Sequence, residues 1–274
     1  MNVLTSLLSS RQAIIMGVLN TTPDSFSDGG KFNSVESGLT QALMMLEQGA
    51  DIIDVGGEST RPGAQEVGVA DEIKRVVPVI ESIRQHSDVC ISIDTSKPAV
   101  MQAAVAAGAN LINDVNGLQA EGALAICAEL NVPVCVMHMQ GEPRTMQANP
   151  VYHDVVEDIK AFFEQRIQAC VDAGIQRNNI ILDPGFGFGK SLQHNLQLLK
   201  NLKEFQMFDL PLLAGLSRKS MLGKILNDTS PENRLYASVA AAVLARNNGA
   251  KIIRVHDVKA TADALKVCDA MNAV

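Results

Sequence analysis

Tryptophan is absent from this 274-residue chain, and tyrosine and phenylalanine supply only two and eight residues. The core must therefore be aliphatic, and Val, Ile, Leu and Ala suit an interior lined by branched side chains. The five cysteines, Cys90, Cys127, Cys135, Cys170 and Cys268, are odd in number and form no CxxC pair. Buried free thiols in a reducing cytoplasm are expected rather than disulfides. An excess of positive charge is also missing: 23 Lys and Arg stand against 30 Asp and Glu, a formal net charge of -7. That balance argues against nucleic-acid binding, which needs a basic face, but leaves room for an anionic ligand held by a few focused cations. No apolar run approaches the ~20 residues of a membrane span. The opening MNVLTSLLSSRQ lacks the basic n-region of a signal peptide. Neither membrane association nor export is expected.

What the chain does have is 47% hydrophobic and 19% charged residues, ample for a large core. Eight short apolar runs alternate with longer amphipathic stretches: Ile14–Val18, Ile52–Val55, Val89–Ile93, Leu111–Val115, Val132–Met137, Asn179–Asp183, Pro211–Gly215 and Lys251–Val255. Their hydrophobicity is continuous rather than alternating, as in parallel strands buried on both faces. Between them, segments such as 34–48 place Leu39, Leu43 and Leu46 near helical spacing and stop at Gly49. The phrases GADIIDV, GANLIND and GAKIIRV repeat the same joint, a glycine closing a helix and a strand following at once. Eight alternating units point to a single α/β domain over residues 1–274, a (β/α)8 TIM barrel; a doubly wound open sheet is the alternative.

In such barrels the chemistry sits at the C-terminal ends of the strands. Here those ends carry Asn20, Asp54, Asp94, Asn113 and Asp114, His138, Asp183, Ser217-Arg218-Lys219, and Arg254 with His256. The opposite ends show no such series, so the site is expected at this rim. The stretch from Pro184 to Ser191 imitates a phosphate loop, G-x-x-x-x-G-K-[ST], but Pro184 stands where the first glycine is required. A tight loop shaping a pocket wall with Phe188 is the better reading.

With these residues in hand, the chain closely resembles the dihydropteroate synthase family of the bacterial folate pathway. The resemblance rests on GVLNTTPDSFSDGG (17–30), DVGGESTRPG (54–63), ISIDTSKP (91–98), INDVNG (112–117), MHMQGEPRTMQ (137–147), LDPGFGFGK (182–190), AGLSRKSMLG (214–223) and IIRVHDV (252–258), spread over nearly the whole sequence. Thr21 stands where many relatives carry an aliphatic residue. The resemblance implies condensation of (7,8-dihydropterin-6-yl)methyl diphosphate with 4-aminobenzoate to give 7,8-dihydropteroate and pyrophosphate. A pterin-binding methyltransferase barrel and a catalytically silent pterin-binding protein are the rival readings.

The resemblance also implies site roles, and the residue chemistry suits them. Asp183 would accept the paired N–H bonds of the guanidine-like pterin edge. Asn113, Lys219 and Asp94 would complete the pterin pocket, with Met137 and Phe188 as further contacts. Arg254 and His256, with Thr60, Arg61 and Asn20, would hold the pyrophosphate, and Arg254 would also stack on the ring. Phe26, Pro62, Ser217 and Lys219 would face the arylamine. Mg²⁺ would arrive with the diphosphate and meet Asn20, since no dedicated metal cage is evident. Asp94, Asp183, Lys219 and Arg254 would carry a dissociative substitution at the methylene carbon. A homodimer formed through late helices such as Ala237–Arg246, whose Ala-rich face suits close packing, is expected as well.

Overall fold

The computed structural model describes residues 3–21, 31–59, 64–141, 145–228 and 230–273. In chain order the elements are α1 (Val3–Ser10), β1 (Ile14–Asn20), α2 (Lys31–Glu47), β2 (Ile52–Gly56), α3 (Val69–His86), β3 (Cys90–Asp94), α4 (Pro98–Ala106), β4 (Leu111–Asp114) and α5 (Ala123–Leu130). They continue as β5 (Val134–Met137), α6 (Val155–Asp172), β6 (Ile180–Asp183), α7 (Leu192–Lys200), β7 (Leu213–Ala214), α8 (Ser220–Leu226), α9 (Leu235–Asn247), β8 (Ile252–Val255) and α10 (Val258–Asn272). Every ladder is parallel, in the order β6-β5-β4-β3-β2-β1-β8-β7. A parallel bridge between Leu182 and Leu212 joins the two ends and closes the barrel.

All eight expected strands are present; β4, β6 and β8 lose one terminal residue of their apolar runs, and β5 and β7 lose more, each at a proline. β5 starts after Pro133 and β7 after Pro211, since a proline has no N–H to give a ladder. Their carbonyls are still used: Pro133 O accepts from Ile112 N at 3.0 Å and Pro211 O from Leu182 N at 2.9 Å. The three repeated joints fold as expected, with Gly49, Gly108 and Gly249 at φ of 104°, 117° and 100°. Those left-handed values end a helix without the steric cost a side chain would bring.

Alternation along the strands sorts the core into two. One side chain set, including Ile53, Val55, Ile91, Ile93, Val134, Val136, Ile180 and Ile253, packs outward under the helices. The other, Ile14, Met16, Ile52, Cys90, Leu111, Cys135, Ile181, Leu213 and Ile252, fills the lower barrel interior. Leu4, Leu7 and Leu8 of α1 join that inner set, so the apolar N-terminal stretch plugs the bottom of the barrel. All five cysteines are free and buried. Among the described residues, no helix is long and apolar enough to cross a membrane.

One packing expectation is corrected. The Ala-rich face of α9, Ala241, Ala242 and Ala245, is buried inside this chain rather than offered to a partner. What α9 exposes is Tyr236 and Leu244, beside Val267 and Met271 of α10. Because Leu4 is 1% exposed at the barrel floor, Leu4→Ala should lower the unfolding free energy by about 3 kcal/mol. Urea denaturation measures this, and an unchanged midpoint would contradict the plug.

Candidate active site

Two residues further along five of the inward-facing rows, the apolar floor gives way to polar groups. Ile52 is followed by Asp54, Cys90 by Ser92 and then Asp94, Leu111 by Asn113, Ile181 by Asp183, and Ile252 by Arg254. The period of two keeps each pair on one face of its strand. Strand register then aligns Asn20 with Gly56, Gly56 with Asp94, and Asp94 with Asn113 across β1–β4. Met137 is likewise level with Asp183.

These groups surround a cavity lined by Asp94, Asn113, Val115, Met137, Asp183, Phe186, Phe188, Gly215, Lys219 and Arg254. Seven of the lining residues were expected from the sequence; Val115, Phe186 and Gly215 were not. Asn20, Ser217 and His256 stand at the same rim but outside that lining. Phe26, Thr60, Arg61 and Pro62 lie outside the described residues.

At the centre is Arg254. Its Nε donates to Asp54 Oδ2 at 2.6 Å and its Nη2 to Asp94 Oδ2 at 2.7 Å. Asn113 Nδ2 donates to the same Asp54 oxygen at 3.3 Å. Burial pushes Asp94 up to about 7, even though Arg254 pulls it down. Asp94 thus does more than cap the next helix, which starts at Lys97 without a side-chain cap. Burial also raises Asp183, opposed by the Gly185 N–H and by Lys219, Arg254 and Lys190. Gly185 N donates to Asp183 Oδ1 at 2.8 Å. Lys219 lies with Nζ 4.0 Å from the Phe188 ring centroid, and burial lowers it to about 8. Phe188, Met137 and Met146, with Val115 and Met139 against them, form an apolar wall beside the polar groups.

Asp54 is the functional residue that sequence reasoning noticed at a strand end but gave no role. It is fully buried, and its Oδ1 has no hydrogen-bond partner. A buried carboxylate inside an otherwise apolar strand needs a cation, and among the strands of the described residues Arg254 supplies it; the expected eighth strand offered both Lys251 and Arg254, so the sequence signalled a cation without choosing it. Beneath the second loop, buried Glu72 accepts from Lys97 at 2.6 Å while Glu58 accepts from Lys97 and from Val67 N, pinning both flanks of residues 60–63.

The likeness to known proteins agrees with this geometry. A sequence profile described as "Pterin binding enzyme" matches residues 16–256. The dihydropteroate synthase of Haemophilus influenzae is 56% identical over 256 residues, covering 93% of each chain. The chain belongs to the dihydropteroate synthase family. Among solved members of that family, the Yersinia pestis synthase with a sulfonamide drug complex has a TM-score of 0.92 at 53% identity, covering 97% of this chain and 96% of that one. The Xanthomonas albilineans synthase with 4-aminobenzoic acid has a TM-score of 0.91 at 49% identity, covering 96% and 94%. The same organism's synthase with 7,8-dihydropteroate has a TM-score of 0.88 at 46% identity, again covering 96% and 94%.

In this member of the dihydropteroate synthase family, the rim histidine is held by Ser217. His256 N donates to Ser217 Oγ at 3.2 Å and its Nδ1 lies 3.1 Å from the same hydroxyl. Burial, then Arg254 and Arg218, pushes His256 down from 6.5 to about 4. In the unfolded chain the ring binds its proton more tightly, so its contribution to stability is full above pH ~6.5 and is lost as pH falls towards 4. NMR titration of the imidazole should give a midpoint near 4 in the ligand-free protein, moving upward when pyrophosphate is added. A midpoint near 6.5 would contradict the burial argument.

Proposed function

We propose that this chain condenses (7,8-dihydropterin-6-yl)methyl diphosphate with 4-aminobenzoate, releasing pyrophosphate and 7,8-dihydropteroate. The observation that carries the reading is the convergence of Asp94, Asn113, Asp183, Lys219 and Arg254 on one cavity walled by Phe188 and Met137. The polar set matches a pterin, whose amino group and ring N–H meet a carboxylate side by side. Asp183 suits that edge because one of its oxygens is braced by Gly185 N and the other is left for a ligand. Asn113 and Lys219 suit the remaining ring nitrogens and the carbonyl oxygen. The ligands of the related Xanthomonas synthase, 4-aminobenzoic acid and 7,8-dihydropteroate, support the same substrate and product.

The reaction breaks the bond between the methylene carbon and the diphosphate oxygen, and the bonding pair leaves with pyrophosphate. The arylamine nitrogen then attacks the carbon and gives up a proton. Carboxylates at Asp94 and Asp183 stabilise the cationic pterin, while Arg254 and His256 receive the negative charge of the leaving group. Both Arg254 bonds to carboxylate use Nε and Nη2, leaving its remaining N–H groups for a phosphate oxygen or ring contact. Thr60 and Arg61 complete the anion site, and Phe26, Pro62, Ser217 and Lys219 the arylamine side, where sulfonamide analogues would compete. The donor set fits a magnesium ion brought by substrate: Asn20 offers one amide oxygen at the rim, and no group of three or more His, Cys, Asp or Glu among the described residues stands ready to hold an ion. Bound there, Mg²⁺ would neutralise charge on the departing diphosphate. A cytoplasmic setting is supported by five buried free thiols.

Incubation with both substrates and Mg²⁺ should give dihydropteroate and release pyrophosphate; no dihydropteroate and no pyrophosphate release would sink the reading. Asp183→Asn removes charge from a charge-assisted pair of bonds worth roughly 1.5–3 kcal/mol each. It should weaken binding of the pterin diphosphate about 10- to 100-fold, as titration calorimetry would show.

The proposal extends to a homodimer built on Tyr236, Leu244, Val267 and Met271, exposed by 86%, 51%, 70% and 59% on neighbouring helices. Sedimentation should give twice the chain mass, and Leu244→Asp should give monomers. A wild-type monomer at micromolar concentration would refute it.

A further inference from the structure

Lys190, the lysine of the phosphate-loop look-alike, points away from any phosphate. It is 3% exposed, and its ammonium is caged by Gly185 O at 2.9 Å, Phe188 O at 3.0 Å, His138 O at 3.3 Å and His138 Nδ1 at 3.0 Å. An ammonium has three protons and accepts nothing, so Nδ1 must be the acceptor and the ring proton sits on Nε2. Burial and Lys190 together push His138 down to about 2, in keeping with a neutral ring. A lysine placed only to fill space would be replaced by an apolar side chain with less desolvation. Burial lowers Lys190 to about 7 while Asp183 pulls it up, and the acceptors gathered around Nζ favour its charged form.

The carbonyls it gathers belong to a backbone that few sequences could follow. Gly185, Gly187 and Gly189 have φ of 71°, 81° and 60°. A side chain at Gly185 would run into His138 O, and one at Gly189 into Gln140 O. Inward-turned carbonyl dipoles repel one another unless a cation sits among them, and Lys190 is that cation. The outer side of the same loop sets two pterin-facing groups. Gly185 N holds Asp183, the Phe188 ring lies under the Lys219 ammonium, and a Cβ at Gly187 would meet Lys219 Cδ at 3.1 Å. Tyr152 Oη donates to Gly189 O at 2.8 Å and Gln147 Nε2 to Gly187 O, tying the loop's far edge.

We propose that Lys190 is a positioning residue for pterin binding: its caged ammonium holds the 184–189 loop in the form that sets Asp183 and Lys219, and its charge favours the ionised carboxylate of Asp183. The inference rests on the pterin reading of the cavity. The charged groups facing Asp183 are Lys219 after β7, Arg254 on β8 and Lys190 itself, all of them lowering its proton affinity against the burial that raises it. Facing Lys190 are Asp183, Lys219, His138 and, at greater reach, His194.

Lys190→Gln keeps a donor of similar reach and removes the charge; Lys190→Met removes both. Each should raise the dissociation constant for the pterin diphosphate at least tenfold at pH 6.5, below the value of about 7 to which burial lowers Lys190, Met more than Gln. The acid limb of binding, where Asp183 gains its proton, should move to higher pH in both, because one of the three cations beside it is gone. A residue that only stabilised the fold would lower the melting temperature and leave that limb in place. A folded Lys190→Gln protein with wild-type affinity and an unmoved acid limb overturns the proposal. Should both variants fail to fold, the ¹⁵Nζ resonance of Lys190 in the wild-type protein decides: it should shift when the pterin binds, and an unmoved resonance overturns the proposal. Wild-type protein that does not bind the pterin at all refutes the reading of the cavity itself, and this inference with it.

Discussion

A guanidinium cannot lie inside a barrel unless its charge is met, and the upper interior here is arranged around meeting it. Arg254 bridges Asp54 on β2 and Asp94 on β3, although these strands are separated from β8 by β1. The two ion pairs therefore span the lumen rather than one ladder, and they hold the two carboxylates on a common level. Removing one partner would leave a buried charge unpaired, which costs about 3–5 kcal/mol. That penalty ties the pocket's shape to the barrel's closure. It also explains Asn113, which donates to the Asp54 oxygen already bonded by Arg254 and so joins the third and fourth sides of the cavity to the same centre.

The cavity lining sets two carboxylates, Asp94 and Asp183, among two cations, Lys219 and Arg254, with buried Asp54 paired to Arg254. That lining is poorly suited to a polyanion taken as a whole. It suits a ligand whose inner end presents N–H donors and becomes cationic as its outer end departs with negative charge. Burial raises the proton affinity of both Asp94 and Asp183, and at Asp94 the nearby carboxylates of Asp54, Asp114 and Glu72 add to it. The proposed reaction would have this polarity, with the pterin inward and the diphosphate toward His256 and Asn20 at the rim.

The fold was largely legible because its signals are local. Continuous apolar runs marked the strands, and glycine at three identical helix-to-strand joints marked the period. The boundaries of β5 and β7 shifted because proline carbonyls join the sheet while proline nitrogens do not. The site was legible as strand-end residues, but their grouping was not, since a strand end does not say which partner it meets across the lumen. Asp54 is the instructive case: the partner that explains it lies 200 positions later in the chain. The alanine face of α9 misled for a related reason. Small side chains permit close approach, and here it is the chain's own barrel that approaches, leaving Tyr236 and Leu244 on the outer side.

The loop after β6 shows how far the same letters can depart from their usual meaning. In a phosphate loop, glycines turn backbone N–H groups toward an anion and the lysine reaches over it. Here the turns bring the carbonyls of Gly185 and Phe188 inward, and the lysine is the charge at the centre. The inversion follows from what surrounds the loop. The main chain of His138 and Gln140 runs so close to Gly185 and Gly189 that no side chain fits, and it contributes a further carbonyl to the cage. A cation is then the only occupant that satisfies the space, and the cavity-facing side of the loop inherits its rigidity. Asp183 and Lys219 are aimed by that side, so the precision of the pterin pocket depends on a lysine that never enters it.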